Sequence, residues 1–181
     1  MIFASVGLVL VGIVSVLNLA ILLIMLRRWR ELAEAAGPAA ARAAGGVRMI
    51  DRIPAFSARA ADGTPVTERT LLGRETLVGF FSLTCKACVD SVPLFAGHAE
   101  RLRAGGGVSL AIVHGDGAAG SDLAAALDEV MDLVITEDAN AELSRRYGAK
   151  NYPTYAWYGA DGMVTSAGAG IAALRTGLVT S

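Results

Sequence analysis

No charged side chain occurs from Ile2 to Leu26, a run of IFASVGLVLVGIVSVLNLAILLIML broken only by the polar Ser5, Ser15 and Asn18. A helix rising ~1.5 Å per residue makes this run ~37 Å long, enough to cross a ~30 Å hydrocarbon core with some tilt. A helix in the core of a globular domain is rarely apolar on every side for that length. A cleaved signal peptide fits less well, since no basic segment precedes the run and its apolar stretch exceeds the usual ~7–15 residues. No cysteine follows it where a lipid would be attached. The run therefore predicts one uncleaved transmembrane helix. Residues 1–30 read as a membrane anchor, 31–50 as a stem and 51–181 as a separate domain. The anchor also explains a mean hydropathy of +0.50, too high for an ordinary soluble domain.

Sidedness is drawn in two directions. Arg27, Arg28 and Arg30 directly follow the apolar run, and the positive-inside rule would keep them in the cytoplasm. Trp29 among them suits a membrane interface on either face. Glu31–Ala36 continues the helix outward until Gly37-Pro38 breaks it. Ala39–Gly46 is alanine-rich, ends in two glycines and reads as a tether.

Beyond Ile50 the pattern changes to short apolar runs bounded by turn residues. Ala55–Ala60 and Pro65–Thr67 flank the turn Ala61-Asp62-Gly63-Thr64. Leu77–Phe81, Val108–Val113, Leu133–Ile135 and Thr154–Tyr158 read as buried strands. A turn at Ala160-Asp161-Gly162 leads to a last strand near Met163–Ala167. Helical stretches lie between them at Cys85–Arg103, Ser121–Met131 and Ala139–Tyr147, with a short closing helix at Ile171–Val179. Strands alternating with helices imply parallel crossovers, and the final turn adds an antiparallel hairpin. The expected fold is a three-layer α/β domain around a mixed sheet, preceded by the transmembrane helix. The 16 basic and 17 acidic residues leave a net charge of −1, which speaks against a nucleic-acid partner.

Both cysteines of the chain stand in one unit, Cys85-Lys86-Ala87-Cys88, directly after a strand and at the start of a helix. A helix amino terminus carries unpaired N–H groups and partial positive charge, which favour a thiolate. Cys85 is thus the expected nucleophile, Cys88 the resolving thiol, and Lys86 a further positive charge nearby. Half a zinc site is a poor alternative, because His98 and His114 lack ligand spacing and no second cysteine pair exists. The two histidines read instead as a solvated helix residue and a strand-end residue. A structural disulfide closing so short a loop would stabilise little.

Further residues carry a family resemblance. Pro93 lies five residues after Cys88, and Tyr147-Gly148-Ala149-Lys150-Asn151-Tyr152-Pro153-Thr154 leads into the strand TYAWY. Together with the dithiol this resembles the thioredoxin superfamily, and implies a cis Pro153 facing the sulfurs with Tyr152 before it. The stretches Pro54-Ala55-Phe56-Ser57, Leu71-Leu72-Gly73-Arg74 and Leu77-Val78-Gly79-Phe80-Phe81 look like the front of TlpA-type disulfide reductases. An anchor, a stem and then such a domain is similar to MauD-type accessory proteins.

The resemblance implies a membrane-tethered thiol–disulfide oxidoreductase that exchanges disulfides with client proteins, in the maturation of an extracytoplasmic protein. Phe81, Thr84, Tyr152 and Pro153 would frame its substrate groove, and a thiol-donating protein would supply electrons, so no metal or other cofactor is expected. The resembled families act outside the cytoplasm, against the arginine signal. Two other readings stand beside it, a redox-inactive binding or chaperone module and a cytosol-facing redox sensor. Some residues depart from the family pattern. Lys-Ala replaces a proline-containing pair between the cysteines, and Gly79 stands where thioredoxins place a buried acid, leaving Cys88 without a visible proton acceptor. Thr84 suggests a peroxiredoxin, but it adjoins Cys85 rather than lying three residues before it.

Overall fold

The computed structural model describes residues 49–171, together with Gly12, Ser15, Asn18 and Leu19. The expected anchor and stem lie outside the described residues except at those positions and at Met49 and Ile50, as does the closing helix beyond Ile171. Among the described residues no helix is long and apolar enough to cross a membrane. The chain divides between Ala44 and Gly45, and the elements below belong to the second unit.

In chain order these are β1 (Ser57–Arg59), β2 (Pro65–Thr67), α1 (Glu68–Leu71), β3 (Thr76–Ser82), α2 (Lys86–Ala104), β4 (Val108–His114), α3 (Asp122–Asp128), β5 (Leu133–Glu137), α4 (Glu142–Tyr147), β6 (Thr154–Tyr158) and β7 (Val164–Ala169). Five strands form one sheet in the order β5-β4-β3-β6-β7, while β1 and β2 pair as a separate hairpin. β3 runs parallel to β4, and β4 to β5. β6 is antiparallel to both β3 and β7. The sheet is mixed, as expected, with β3 at its centre.

The continuous apolar runs follow from cover on both faces of the sheet. Val78 and Phe80 of β3 pack with Leu110, Ile112, Leu143, Tyr147 and Tyr158 on one side. Leu77 and Phe81 point the other way, to Phe95 and Ala99 of α2, Leu127 of α3 and Tyr155. Period-two alternation thus splits one strand between two cores. α2 and α3 cover one face and α1 and α4 the other, giving three layers.

Element ends differ from the sequence expectation where local hydrogen bonds intervene. α4 starts at Glu142 rather than Ala139, because Asn140 donates to the Asp138 carboxylate (2.8 Å) and Ala141 sits at φ 49°. Such an Asp-centred turn competes with the helix. α3 is capped as expected, Ser121 Oγ accepting from the Ala124 amide at 3.2 Å, but its regular part ends at Asp128. The single-turn α1 was not anticipated. It begins where the Thr67 amide donates to Thr70 Oγ1 at 3.2 Å.

Asp132 joins β4 to α2, accepting from Ser109 N (2.8 Å), Ser109 Oγ (2.7 Å) and Arg103 Nε (2.6 Å). Burial pushes its carboxyl up, but the Ser109 bonds and the Arg103 guanidinium outweigh that and hold it below the ordinary 3.8. A carboxyl depressed in the fold stabilises it above the unfolded pKa, and that contribution is lost as pH falls through the folded value. Asp132→Asn should therefore cost stability at neutral pH and cost progressively less in acid, as the pH falls below the ordinary 3.8 and through the depressed folded value. Urea unfolding at neutral and at acid pH checks this; an equal deficit at each counts against it.

Candidate active site

Cys85 is the N-cap residue of α2, with extended backbone (φ −106°, ψ 102°), and its carbonyl accepts from the Cys88 amide at 3.0 Å. The turn leaves β3 at Ser82 and brings both sulfurs to the carboxyl end of the central strand. Both cysteines are free thiols. The Cys85 thiol is half-buried and donates to the Tyr152 carbonyl at 3.4 Å, across from the cis Tyr152–Pro153 bond. Cys88 has no exposed surface, and its sulfur accepts from the Ser82 amide at 3.4 Å. Burial pushes the Cys88 thiol up to about 12; hydrogen bonding with Cys85 adds to this, while the Ser82 N–H acts against it. One accessible and one buried thiol can therefore attack and resolve in turn.

The wall behind Tyr152 is built by residues far apart in sequence. The Glu137 carboxylate at the end of β5 accepts from the Leu143 (2.8 Å) and Ser144 (3.1 Å) amides, and from the Ser144 hydroxyl. It thereby satisfies free N–H groups at the start of α4. Burial raises the Tyr152 phenol, a hydrogen bond with Ser144 opposes this, and the Glu137 charge adds to it. The His114 ring packs against Tyr152, tilted by 40° with centroids 4.2 Å apart, and both its ring nitrogens are buried without a hydrogen-bond partner. His114 and Glu137 are register partners on β4 and β5.

The structure thus brings Cys85, Cys88, Tyr152 and Pro153 together, and places the remaining expected site residues differently. Phe81 lines no open groove: it is fully buried, edge-on to Phe95 (5.3 Å) and Tyr155 (6.0 Å), because strand alternation turns it under α2. Thr84 is exposed, and its hydroxyl lies 3.2 Å from Ser82 Oγ. Lys86 pairs with Asp90 at 3.0 Å on open surface, where such a pair contributes little. Pro93 lies inside α2, exposed, and supplies no amide to the Val89 carbonyl. His98 is not simply solvated, since its ring meets Trp157 edge-on at 5.4 Å. Sequence reasoning missed His114 as the packing partner of Tyr152, a contact between the end of β4 and the turn before β6 that only the folded chain brings together. Among the described residues no three His, Cys, Asp or Glu side chains converge as metal ligands would.

A dithiol at the amino end of the helix after the central strand, facing a cis-proline turn on the neighbouring antiparallel strand, defines a thioredoxin-like α/β protein. Solved structures agree in fold. A candidate thiol:disulfide interchange protein DsbE from Chlorobium tepidum is similar at 23% identity and a TM-score of 0.57, covering 67% of this chain and 85% of that one. A secreted Mycobacterium tuberculosis disulfide oxidoreductase homologous to E. coli DsbE gives 21% and 0.52, over 61% and 80% of the two chains. The thioredoxin domain of a Bacteroides vulgatus thiol-disulfide oxidoreductase gives 15% and 0.57, over 71% and 93%. The chain belongs to the AhpC/TSA family, whose profile matches residues 49–168. No curated protein sequence matches it.

Proposed function

We propose that this chain is a membrane-tethered thiol–disulfide oxidoreductase of the TlpA or MauD kind, acting on client proteins outside the cytoplasm. The observation that carries the redox reading is the asymmetry of the dithiol. Cys85 reaches the surface beside the Tyr152 carbonyl, and Cys88 is sealed behind it. In this reading the Cys85 sulfur attacks a client disulfide and forms a mixed disulfide with one client sulfur, while the other leaves as a thiolate. Cys88 then attacks Cys85, the second client sulfur leaves, and the pair is left as a disulfide. A partner dithiol returns the electrons. The tether rests on the apolar run Ile2–Leu26, and the side of the membrane on the resemblance set out above.

Right-side-out vesicles carrying the full chain test both parts together. They are equilibrated in glutathione buffers and then treated with a membrane-impermeant maleimide. Labelling of Cys85 should fall as the buffer becomes oxidising, with a midpoint between about −120 and −270 mV, the span of known dithiol oxidants and reductants. Labelling indifferent to the buffer would sink the redox reading. Redox-dependent labelling confined to inverted vesicles would overturn the placement alone.

A further inference from the structure

His114 ends β4 and touches the dithiol site on two sides. In register it stands between Ser82, the last residue of β3, and Glu137, the last of β5. Its carbonyl accepts from the Leu83 amide at 3.2 Å, which ties it to the turn that carries Cys85. Its ring meets that of Tyr152 with centroids 4.2 Å apart, while every other ring pair among the described residues is separated by 5.3 Å or more. Tyr152 in turn offers its carbonyl to the Cys85 thiol at 3.4 Å. Among the described residues Tyr152 makes no backbone–backbone hydrogen bond, so its side chain has a share in placing that carbonyl. The phenol has a hydrogen bond with Ser144, and the face of the ring is met by His114. Both His114 nitrogens are buried and neither has a hydrogen-bond partner, so packing holds this ring in place.

We infer that His114 is a positioning residue for Cys85: its ring holds Tyr152 where the Tyr152 carbonyl takes the Cys85 thiol hydrogen. This deepens the exchange reading proposed above and rests on it for its part in turnover. The bond restrains the resting nucleophile, because the thiol gives up its hydrogen before the sulfur attacks. Without the ring, Tyr152 can withdraw its carbonyl, and the thiol loses its acceptor. The shape of the ring carries the effect and its nitrogens do not, so phenylalanine can stand in for histidine.

Raman spectra of the reduced full chain test this, because a thiol that donates a hydrogen bond has its S–H stretch at lower frequency. Subtracting the spectrum of the same chain carrying Cys85→Ser isolates the Cys85 band. His114→Ala should move that band to higher frequency. It should also speed Cys85 alkylation by iodoacetamide, followed by mass spectrometry, about fivefold, the scale of one hydrogen bond lost. His114→Phe should leave the band in place and the alkylation within about twofold of wild type. His114→Leu fills the space without a ring, and should match His114→Ala even if the alanine variant unfolds. A band unmoved by loss of the ring overturns the inference, whatever happens to the melting temperature. So does a His114→Phe band shifted as far as that of His114→Leu. Insulin reduction by the wild type tells the two failures apart. An unmoved band in an active chain sinks the inference alone, and a chain that reduces no insulin sinks the exchange reading and the role of His114 in it.

Discussion

Replacing Cys85 with serine is expected to reduce disulfide exchange to the uncatalysed background, because a hydroxyl cannot form the mixed disulfide and Cys88 cannot reach a client. Cys88 is fully buried and its thiol is pushed up to about 12 by that burial, so it offers almost no thiolate near neutral pH. Cys88→Ser should fail in a different way. The first attack proceeds, and the client stays bound to Cys85 until an external thiol releases it. A well-placed intramolecular group acts at an effective concentration far above that of a dilute external thiol, which offsets the scarcity of the Cys88 thiolate, so turnover with Cys88→Ser should drop by orders of magnitude. Insulin reduction measures turnover, and mass spectrometry of the client adduct measures trapping. Exchange by Cys85→Ser above background, or no adduct with Cys88→Ser, would falsify the assigned roles.

Gly79→Asp should be strongly destabilising, even though it puts an acid where thioredoxins carry one. The new Cβ alone would meet Phe95 Cζ at 2.5 Å and Phe81 Cε2 at 2.7 Å. Both rings are fully buried and packed against each other and Tyr155, so neither can swing away. Overpacking of this kind costs about 1–3 kcal/mol. A carboxyl buried without partners adds several more, offset only in part by protonation. A loss of about 4 kcal/mol or more is a large share of a typical stability of about 5–15 kcal/mol. Thermal unfolding should fall by more than about 12 °C, with Gly79→Ala, which adds only the methyl, falling less. A Gly79→Asp midpoint within about 3 °C of wild type would show that the rings yield more easily than their packing implies.

The dithiol and Gly79 differ in what the chain discloses before it is folded. Leu77–Phe81 and Thr154–Tyr158 were legible as strands because both faces of the sheet are covered and their apolar runs are unbroken. The dithiol, Pro153 and the turns were legible because they lie close together along the chain or follow a known spacing. Asp62 and Gly63 mark their turn plainly: the Asp62 carboxylate takes the Thr64 amide at 2.8 Å, and Gly63 adopts φ 87°. Phe81 was misread as a groove residue since alternation gives two faces without saying which one is open. Its direction depends on α2 lying above it. Tyr155 and His114 were hidden for a related reason. Gly79 meets Tyr155, and His114 meets Glu137, only through strand pairing, which joins residues 76 and 23 positions apart. Pairing of that kind is set by the whole sheet, and no local pattern announces it.

The central position of β3 has a mechanical consequence. In the proposed exchange, a client joined through Cys85 would pull on the chain just after Ser82, where β3 ends. Seven residues of β3 pair with β4 on one side, and five pair with β6 on the other. Both ladders run alongside the strand, so a pull along its axis loads their hydrogen bonds together in shear instead of opening them one by one. A thiol hung from an edge strand would have passed the same force to a single ladder. Cys85 is thus moored where such a pull would be shared between two ladders.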